Sequence, residues 1–592
     1  MKQAVATSPE GSSRAPRVSF CTLGCRLNQY DTSALRARLL SQGMVEARAE
    51  EGAADVVLVN TCTVTGRADQ EARQLIRKLH RESPGARIVV TGCYAQRAPE
   101  EVRAIPGVTA VLGTADRDDP DRLMRAVGWN GRAAAGTGSP AGEGVGAPFL
   151  GVGPARAPRD FTTQAPLHVG RSRALLKIQD GCDSFCSYCI VPYVRGRSRS
   201  LARAEVLERA RRLLETGFTE IVLTGADLGS YGKDLGEREA LARLAVALLS
   251  LGPDHRVRLS SIEPNKLGPR IVEMIGAEPR LCRHLHLPLQ SGSNRVLGAM
   301  RRGYTREEYA AILDRVVARG PVGIGADVIV GFPGEGEEEF AETLQFLWDQ
   351  PVTFLHVFRY SPRPGTRAAR LEAGEPAATV RERAESLRKL GEEKLRAFRR
   401  SLLGSTLPVV MEQGRGADGP VSMSDLYLPV ELDREPPNRR GILHVTISGE
   451  DGARLLGRLD PRTCDPENGS KLRTSDGLTL AGPLDILPTA SRSDRNQGGD
   501  CHVDSQESGL APDHGRGRGV RLPEPERPRD GDPDPGSGIL QRPAPDRALR
   551  RLRAGDAPRL PPHPGELPER PRDHGAALPG EPEPEAGAAV PS

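Results

Sequence analysis

"ALLKIQDGCDSFCSYC", residues 174–189, decides how the rest of the chain is read. An apolar run suited to a strand, ALLKIQ, leads directly into three cysteines, Cys182, Cys186 and Cys189, spaced C-x-x-x-C-x-x-C. Thiolates select soft metals, and four at one site would close a structural zinc or an electron-transfer cluster. Three in a tight loop leave one iron of a four-iron cluster without a protein ligand, and an open iron can bind a substrate. A zinc site with a distant fourth ligand, or plain buried thiols, is the alternative reading of the same residues.

Outward from this loop come further strand-like runs, EIVLTG, RVRLSS, HLHLPL, GIGADVIVGF and FLHVFRY, with helix-like segments between most of them. The segment TREEYAAILDRVVARG shows its own ends: Thr305 with Glu308 makes a capping box, and Gly320 stops the helix. This alternation predicts a partial (β/α)6 barrel of parallel strands over residues 171–400, with ligands at the carboxyl ends of the strands. A charged helical stretch spans roughly residues 377–402.

Upstream, residues 17–127 alternate short apolar runs (RVSFCTL, DVVLVN, RIVVTG, VTAVLG) with helical segments, which predicts a small α/β domain on a parallel sheet. Cys25, Cys62 and Cys93 each directly end one of these strands, so in a parallel sheet they share an edge and could meet at one metal. Buried structural cysteines are the alternative. Cys21 lies inside the first strand and reads as core, while Cys282, Cys464 and Cys501 read as bystanders. Residues 128–170 are rich in Gly, Ala and Pro and read as a flexible linker. Residues 401–459 carry LPVVMEQG, LYLPVEL, GILHVTISG and ARLLGRL without intervening helices, a small all-β module. Beyond, residues 460–592 have no aromatic side chain and many prolines, which predicts a disordered tail.

With 82 basic and 78 acidic residues the net charge is only +4, so a nucleic-acid site must be a local patch. The ten cysteines are few for the length and mostly sit in clusters or at strand ends, which suits metal or redox chemistry in a reducing compartment. The first residues lack the apolar core of a signal peptide, and no apolar run reaches the ~18 residues of a membrane span, so a soluble cytoplasmic protein is expected.

The Cys182–Cys189 loop resembles the signature loop of radical S-adenosylmethionine enzymes. The resemblance implies that the open iron chelates the amino and carboxylate groups of S-adenosylmethionine and that an electron cleaves it to a 5′-deoxyadenosyl radical. Tyr188 matches the position that the superfamily places near the adenine. The segments LTGADLGSYG (Gly225, Asp227), SSIEP (Ser260, Glu263), HLPLQSGS (Gln290) and GADVIVGFPGE fall in order where the superfamily touches the cofactor.

From residue 17 to about residue 459 the chain resembles the methylthiotransferase family. TLGCRLNQYDT, VNTCTVTGRADQEAR and GCYAQ look most like the branch that modifies N6-threonylcarbamoyladenosine beside the tRNA anticodon, and the β module resembles the RNA-binding TRAM domain. The resemblance implies two 4Fe-4S clusters, on Cys182, Cys186 and Cys189 and on Cys25, Cys62 and Cys93. It also implies S-adenosylmethionine as cofactor, the tRNA anticodon stem-loop as partner, an electron donor and a sulfur source. It singles out no catalytic side chain beyond the cluster ligands.

In RGRSRS, Arg195, Arg197 and Arg199 are candidates to contact RNA phosphates, with a solvated loop as the alternative. Tyr427 is the one aromatic of the β module available for stacking. Because both clusters and the base must converge, the first domain is expected to cap the barrel mouth. Sister branches acting on isopentenyladenosine or on a ribosomal-protein aspartate share this architecture. A non-catalytic iron–sulfur RNA-binding sensor is a reading of another class.

Overall fold

Fully buried runs such as Val56–Thr61 are what a parallel strand covered on both faces requires. The computed structural model describes residues 14–47, 54–128, 149–155, 173–372, 374–415, 420–436, 439–460 and 501–502. Its first sheet contains β1 (Arg17–Thr22), β2 (Val45–Glu46), β3 (Val56–Thr61), β4 (Arg87–Gly92), β5 (Val108–Leu112) and β6 (Phe149–Gly151), all parallel, in the order β2-β1-β3-β4-β5-β6. Alternate side chains fill two cores, with Val57, Val59, Ile88 and Val90 on one face and Val56, Leu58 and Val89 on the other.

The strand β6 corrects the linker expectation. It lies within residues 128–170 and forms an edge of the first sheet, held further by Gln96, whose Nε2 donates to the Gly153 carbonyl at 2.9 Å.

The central region holds β7 (Arg173–Lys177), a two-stranded ribbon of β8 (Gln179–Asp180) and β9 (Arg199–Ser200), then β10 (Glu220–Thr224), β11 (Arg256–Leu259), β12 (His284–His286), β13 (Gly323–Val330) and β14 (Phe354–Arg359). The strands of the β/α pattern form two parallel three-stranded sheets, β11-β10-β7 and β12-β13-β14, linked by a single bridge between Val257 and Leu281. Among the described residues β7 and β14 do not pair, so the barrel is partial. Tyr30, from the helix Arg26–Ser41 of the first region, packs on Leu175 of β7 and Val222 of β10. The capping box at Thr305 and Glu308 is present, on the helix Arg306–Val317. The charged helix runs Ala377–Ser401 and turns Ala384, Leu387 and Leu390 into the barrel core.

The last region is a closed barrel of β15 (Thr406–Arg415), β16 (Pro420–Ser424), β17 (Pro429–Leu432), β18 (Leu443–Glu450) and β19 (Leu455–Leu459), in the order β15-β16-β17-β19-β18. Strand β16 has no counterpart among the predicted strands; its PVSMS sequence buries small and polar side chains that give a weak apolar signal. Arg256 and Arg258 dock this barrel on the larger one: Arg258 donates to the carbonyls of Ser424 at 2.8 Å and Asp425 at 3.0 Å, while Glu220 balances both guanidiniums. Of the residues beyond Asp460, only a two-residue strand, β20 (Cys501–His502), is described, parallel to β1. The expected disordered tail otherwise lies outside the described residues, as does Cys464. Among the described residues no helix is long and apolar enough to cross a membrane.

Candidate metal and cofactor site

Parallel strands bring like ends together, so the segments after β1, β3 and β4 share one sheet edge. Cys25 caps the helix Arg26–Ser41, Cys62 follows β3 at once, and Cys93 opens the short helix Cys93–Arg97. Gly24 makes their approach possible: its φ is +100°, and a Cβ there would lie 2.5 Å from the Cys62 Cβ and 2.9 Å from its Sγ. Asn28 pins the edge, donating to the carbonyls of Leu23 at 2.8 Å and Thr61 at 3.1 Å.

Burial pushes the Cys62 thiol well up, and Cys25 and Cys93 push it further because their thiolates would repel. Burial raises Cys93 as well, opposed by the Arg195 guanidinium. All three thiols are free of disulfides. Three free thiols gathered at one sheet edge are a soft donor set that fits a cluster with three protein ligands.

The loop after β7 is built differently. The Cys189 N–H donates to the Cys186 carbonyl at 3.0 Å within the turn, while the Cys182 N–H donates to the Gly196 carbonyl at 3.1 Å and the Ser187 N–H to the Met300 carbonyl at 3.0 Å. Burial raises Cys182 to about 11, with Asp227 adding to it, and raises Cys189 to about 12, with Cys186 adding to it. Arg302 Nη1 donates to the Cys186 Sγ at 3.3 Å and to the Tyr188 hydroxyl at 3.4 Å, and its guanidinium pairs with Glu263. Lys266 Nζ donates to Asp227 Oδ2 at 2.5 Å and Ser184 Oγ at 2.9 Å.

Asp227 Oδ1 and Ser260 Oγ are buried and have no hydrogen-bond partner among the described residues. Orphaned acceptors and donors at strand ends beside the loop suit a polar ligand such as the amino-acid end of S-adenosylmethionine. Burial raises the Glu263 carboxyl, and Arg302 opposes that by favouring its anion. Gly225 and Gln290 differ in kind. A Cβ at Gly225 would lie 2.7 Å from Gln179 Oε1, and Gln290 has a φ of +72° while its N–H donates to the Asp327 carbonyl at 2.7 Å. Both positions shape backbone at a strand end.

Three arginines read as one basic run separate in space. Arg195 is the correction: its side chain is only 3% exposed, donating to Asp180 Oδ1 at 3.0 Å, Asn28 Oδ1 at 2.6 Å and Asp31 Oδ2 at 3.1 Å, so phosphates cannot reach it. Arg199 is mostly buried beside Asp180, whereas Arg197 is 75% exposed and pairs with Asp183. Tyr427 is likewise unavailable for base stacking, because Arg26, Arg173 and Arg258 lie over its ring at 5.2–5.6 Å and His284 at 4.7 Å.

The first region also meets the loops at the carboxyl ends of the barrel strands. Lys177, ending β7, donates to Asp31 at 2.5 Å; Gly66 N–H donates to Ser361, beyond β14, at 2.9 Å; Arg363 pairs with Asp69. Arg302, Lys266 and Arg363 carry no sequence motif, since each is marked only by partners distant along the chain, and Asp31 lies inside TLGCRLNQYDT without having been singled out.

Residues 17–113 match the family described as "Uncharacterized protein family UPF0004", and residues 176–347 match the radical SAM superfamily. Over 404 residues the chain is 38% identical to the threonylcarbamoyladenosine tRNA methylthiotransferase MtaB of Bacillus subtilis (strain 168), covering 67% of this chain and 85% of that protein. The chain belongs to the radical S-adenosylmethionine methylthiotransferase family. The same-named methylthiotransferase of Aquifex aeolicus (strain VF5) is 37% identical, covering 67% of this chain and 94% of that protein. The tRNA-2-methylthio-N(6)-dimethylallyladenosine synthase of Jannaschia sp. (strain CCS1) is 32% identical, covering 76% of this chain and 96% of that protein. Family membership brings S-adenosylmethionine and iron–sulfur clusters as the cofactors of this methylthiotransferase.

Proposed function

We propose that this chain converts N6-threonylcarbamoyladenosine, beside the tRNA anticodon, to its 2-methylthio derivative. The observation that carries this reading is the identity of 37–38% to two proteins named for that activity, over 85–94% of their lengths. A cytoplasmic location follows from a tRNA substrate.

In this reading Cys182, Cys186 and Cys189 hold the cluster that binds S-adenosylmethionine, and Cys25, Cys62 and Cys93 hold the second. When bound, these groups supply the one-electron cleavage of the cofactor and the sulfur that is transferred. The chain's own part is orientation. Asp227, aimed by Lys266 and Ser230, offers its free Oδ1 to the cofactor's ammonium group. Ser260 offers its unpartnered hydroxyl beside it. Arg302 holds Glu263 and the Tyr188 hydroxyl against the loop, which fixes the Tyr188 ring as a wall for the adenine. Gly225 and Gln290 shape the strand ends around the same cofactor. The first region, residues 17–127, seals this side from water through Asp31, Gly66 and Asp69. The closed barrel at residues 401–459 and the exposed Arg197 supply RNA affinity, by backbone contacts more than by stacking.

A second reading, the isopentenyladenosine branch, is favoured by the 32% identity over 96% of the Jannaschia protein. The test is anaerobically reconstituted protein given S-adenosylmethionine, dithionite, sulfide and tRNA carrying one or the other nucleoside, followed by mass spectrometry of the digest. A methylthio mass gain on the threonylcarbamoyl nucleoside alone is expected. Gain on the isopentenyl nucleoside moves the chain to the sister branch.

A further inference from the structure

Arg195 is remote from solvent and from the role its sequence suggested. It ends the short helix Val191–Arg195, which begins two residues after Cys189, and this helix packs Ile190 and Val194 directly on Cys93. Thr114 locks the contact, its hydroxyl donating to the Val194 carbonyl at 2.6 Å. The guanidinium therefore joins the two cysteine sites: one arm is held by Asp180, two residues before Cys182, and the other by Asn28 and Asp31, close behind Cys25.

Buried charges of both signs surround it. Arg117, Lys177 and Arg195 have side chains no more than 3% exposed, against two equally buried anions, Asp31 and Asp180. At the rim, Asp118 faces Arg117 and Lys177, and Arg199 pairs with Asp180. A cation held at this depth is costly unless negative groups meet it, and a cluster on the thiols beside Arg195 is one more such group. The thiols nearest this charge are Cys93, packed on Ile190 and Val194 of the same segment, and Cys25, three residues before Asn28.

We propose that Arg195 is a positioning residue whose fixed charge compensates an iron–sulfur cluster on Cys25, Cys62 and Cys93 and raises that cluster's reduction potential, with Asp180 tempering the effect. The inference rests on the reading of those three cysteines as cluster ligands. A cluster gains negative charge on one-electron reduction, so a nearby cation favours the reduced form and a nearby anion disfavours it. The Arg195 fork also ties this charge to the radical loop through Asp180, so the two sites share one electrostatic unit.

The experiment uses the full chain with Cys182, Cys186 and Cys189 replaced by Ala, reconstituted with iron and sulfide so that only the strand-end site can load. Iron content is measured first, then the midpoint potential by dithionite titration followed by electron paramagnetic resonance. Arg195→Gln is expected to shift the midpoint to more negative potential and Asp180→Asn to more positive potential. Opposite signs separate tuning from general damage, which would move both variants alike. Midpoints unchanged in both variants, or shifted in the same direction, overturn the proposal. If Arg195→Gln does not fold, Asp180→Asn alone decides by the presence or absence of its positive shift. Failure of the parent to load any cluster would overturn the ligand reading itself, and the role of Arg195 with it.

Discussion

The two cysteine sets are assembled by opposite routes. Cys182, Cys186 and Cys189 come from one short loop, whereas Cys25, Cys62 and Cys93 come from three strand ends and meet only when the sheet has formed. A local set is visible as spacing, although its loop still leans on Arg302, Lys266 and the Met300 carbonyl. A set made by topology inherits every weakness of the sheet edge that gathers it.

The sharpest way to break this comparison is at Gly24. Gly24→Val places a β-branched side chain at φ +100°, against Cys62, so it should empty the strand-end site alone. Iron should fall from about eight to about four per chain, the content of one four-iron cluster, while S-adenosylmethionine cleavage persists. Iron that stays at the parent level would mean that the edge needs no close approach.

Asp31 sharpens the comparison from the other side, because it serves both sets. Asp31→Asn leaves Arg117, Lys177 and Arg195 short of their shared anion and should cost about 3–5 kcal/mol in urea unfolding. Both sites should then load less well. A loss confined to one of them would show that the charge cluster belongs to that site only.

The same residue gives a pH dependence. Burial alone would raise the Asp31 carboxyl, but Arg117, Lys177 and Arg195 outweigh burial and hold it at about 2, below the ordinary 3.8. A carboxyl depressed by folding contributes stability that is complete above its unfolded value and is lost as the pH falls through its folded value. Urea midpoints of the protein should therefore hold steady down to pH ~4 and decline from there toward pH ~2, and Asp31→Asn should flatten that decline.

Most of the fold was legible because it is written locally. Each barrel strand is an apolar run bounded by a turn, and the helix Ala377–Ser401 announces itself by length and charge. What escaped was decided at a distance. The strand Pro420–Ser424 is held by its barrel neighbours more than by its own side chains, and Phe149–Gly151 is an apolar trio amid glycines that only β5 makes into a strand. RGRSRS reads as a basic surface run because charge carries no record of burial; Arg195 is inside because Asp31 and Asp180 are there to receive it. The candidate cysteines were visible at both sites, but Arg302 and Lys266, which hold the loop site in shape, were not.

The smallest effect is expected from removing residues 461–592, which lie beyond the closed barrel. Truncation after Asp460 should leave iron content and the rate of nucleoside conversion close to those of the full chain. A large loss at the strand-end site alone would assign part of its support to the segment that pairs with β1.

The division of labour between the two sets is tested most directly by measuring 5′-deoxyadenosine release and methylthio-nucleoside formation side by side in Cys182→Ala and Cys62→Ala. Cys182→Ala should abolish both products. Cys62→Ala should still release 5′-deoxyadenosine while forming no methylthio nucleoside. Normal cofactor cleavage in both variants would contradict the assignment of the loop site to radical formation, and methylthio product from Cys62→Ala would contradict the assignment of the strand-end site to sulfur transfer.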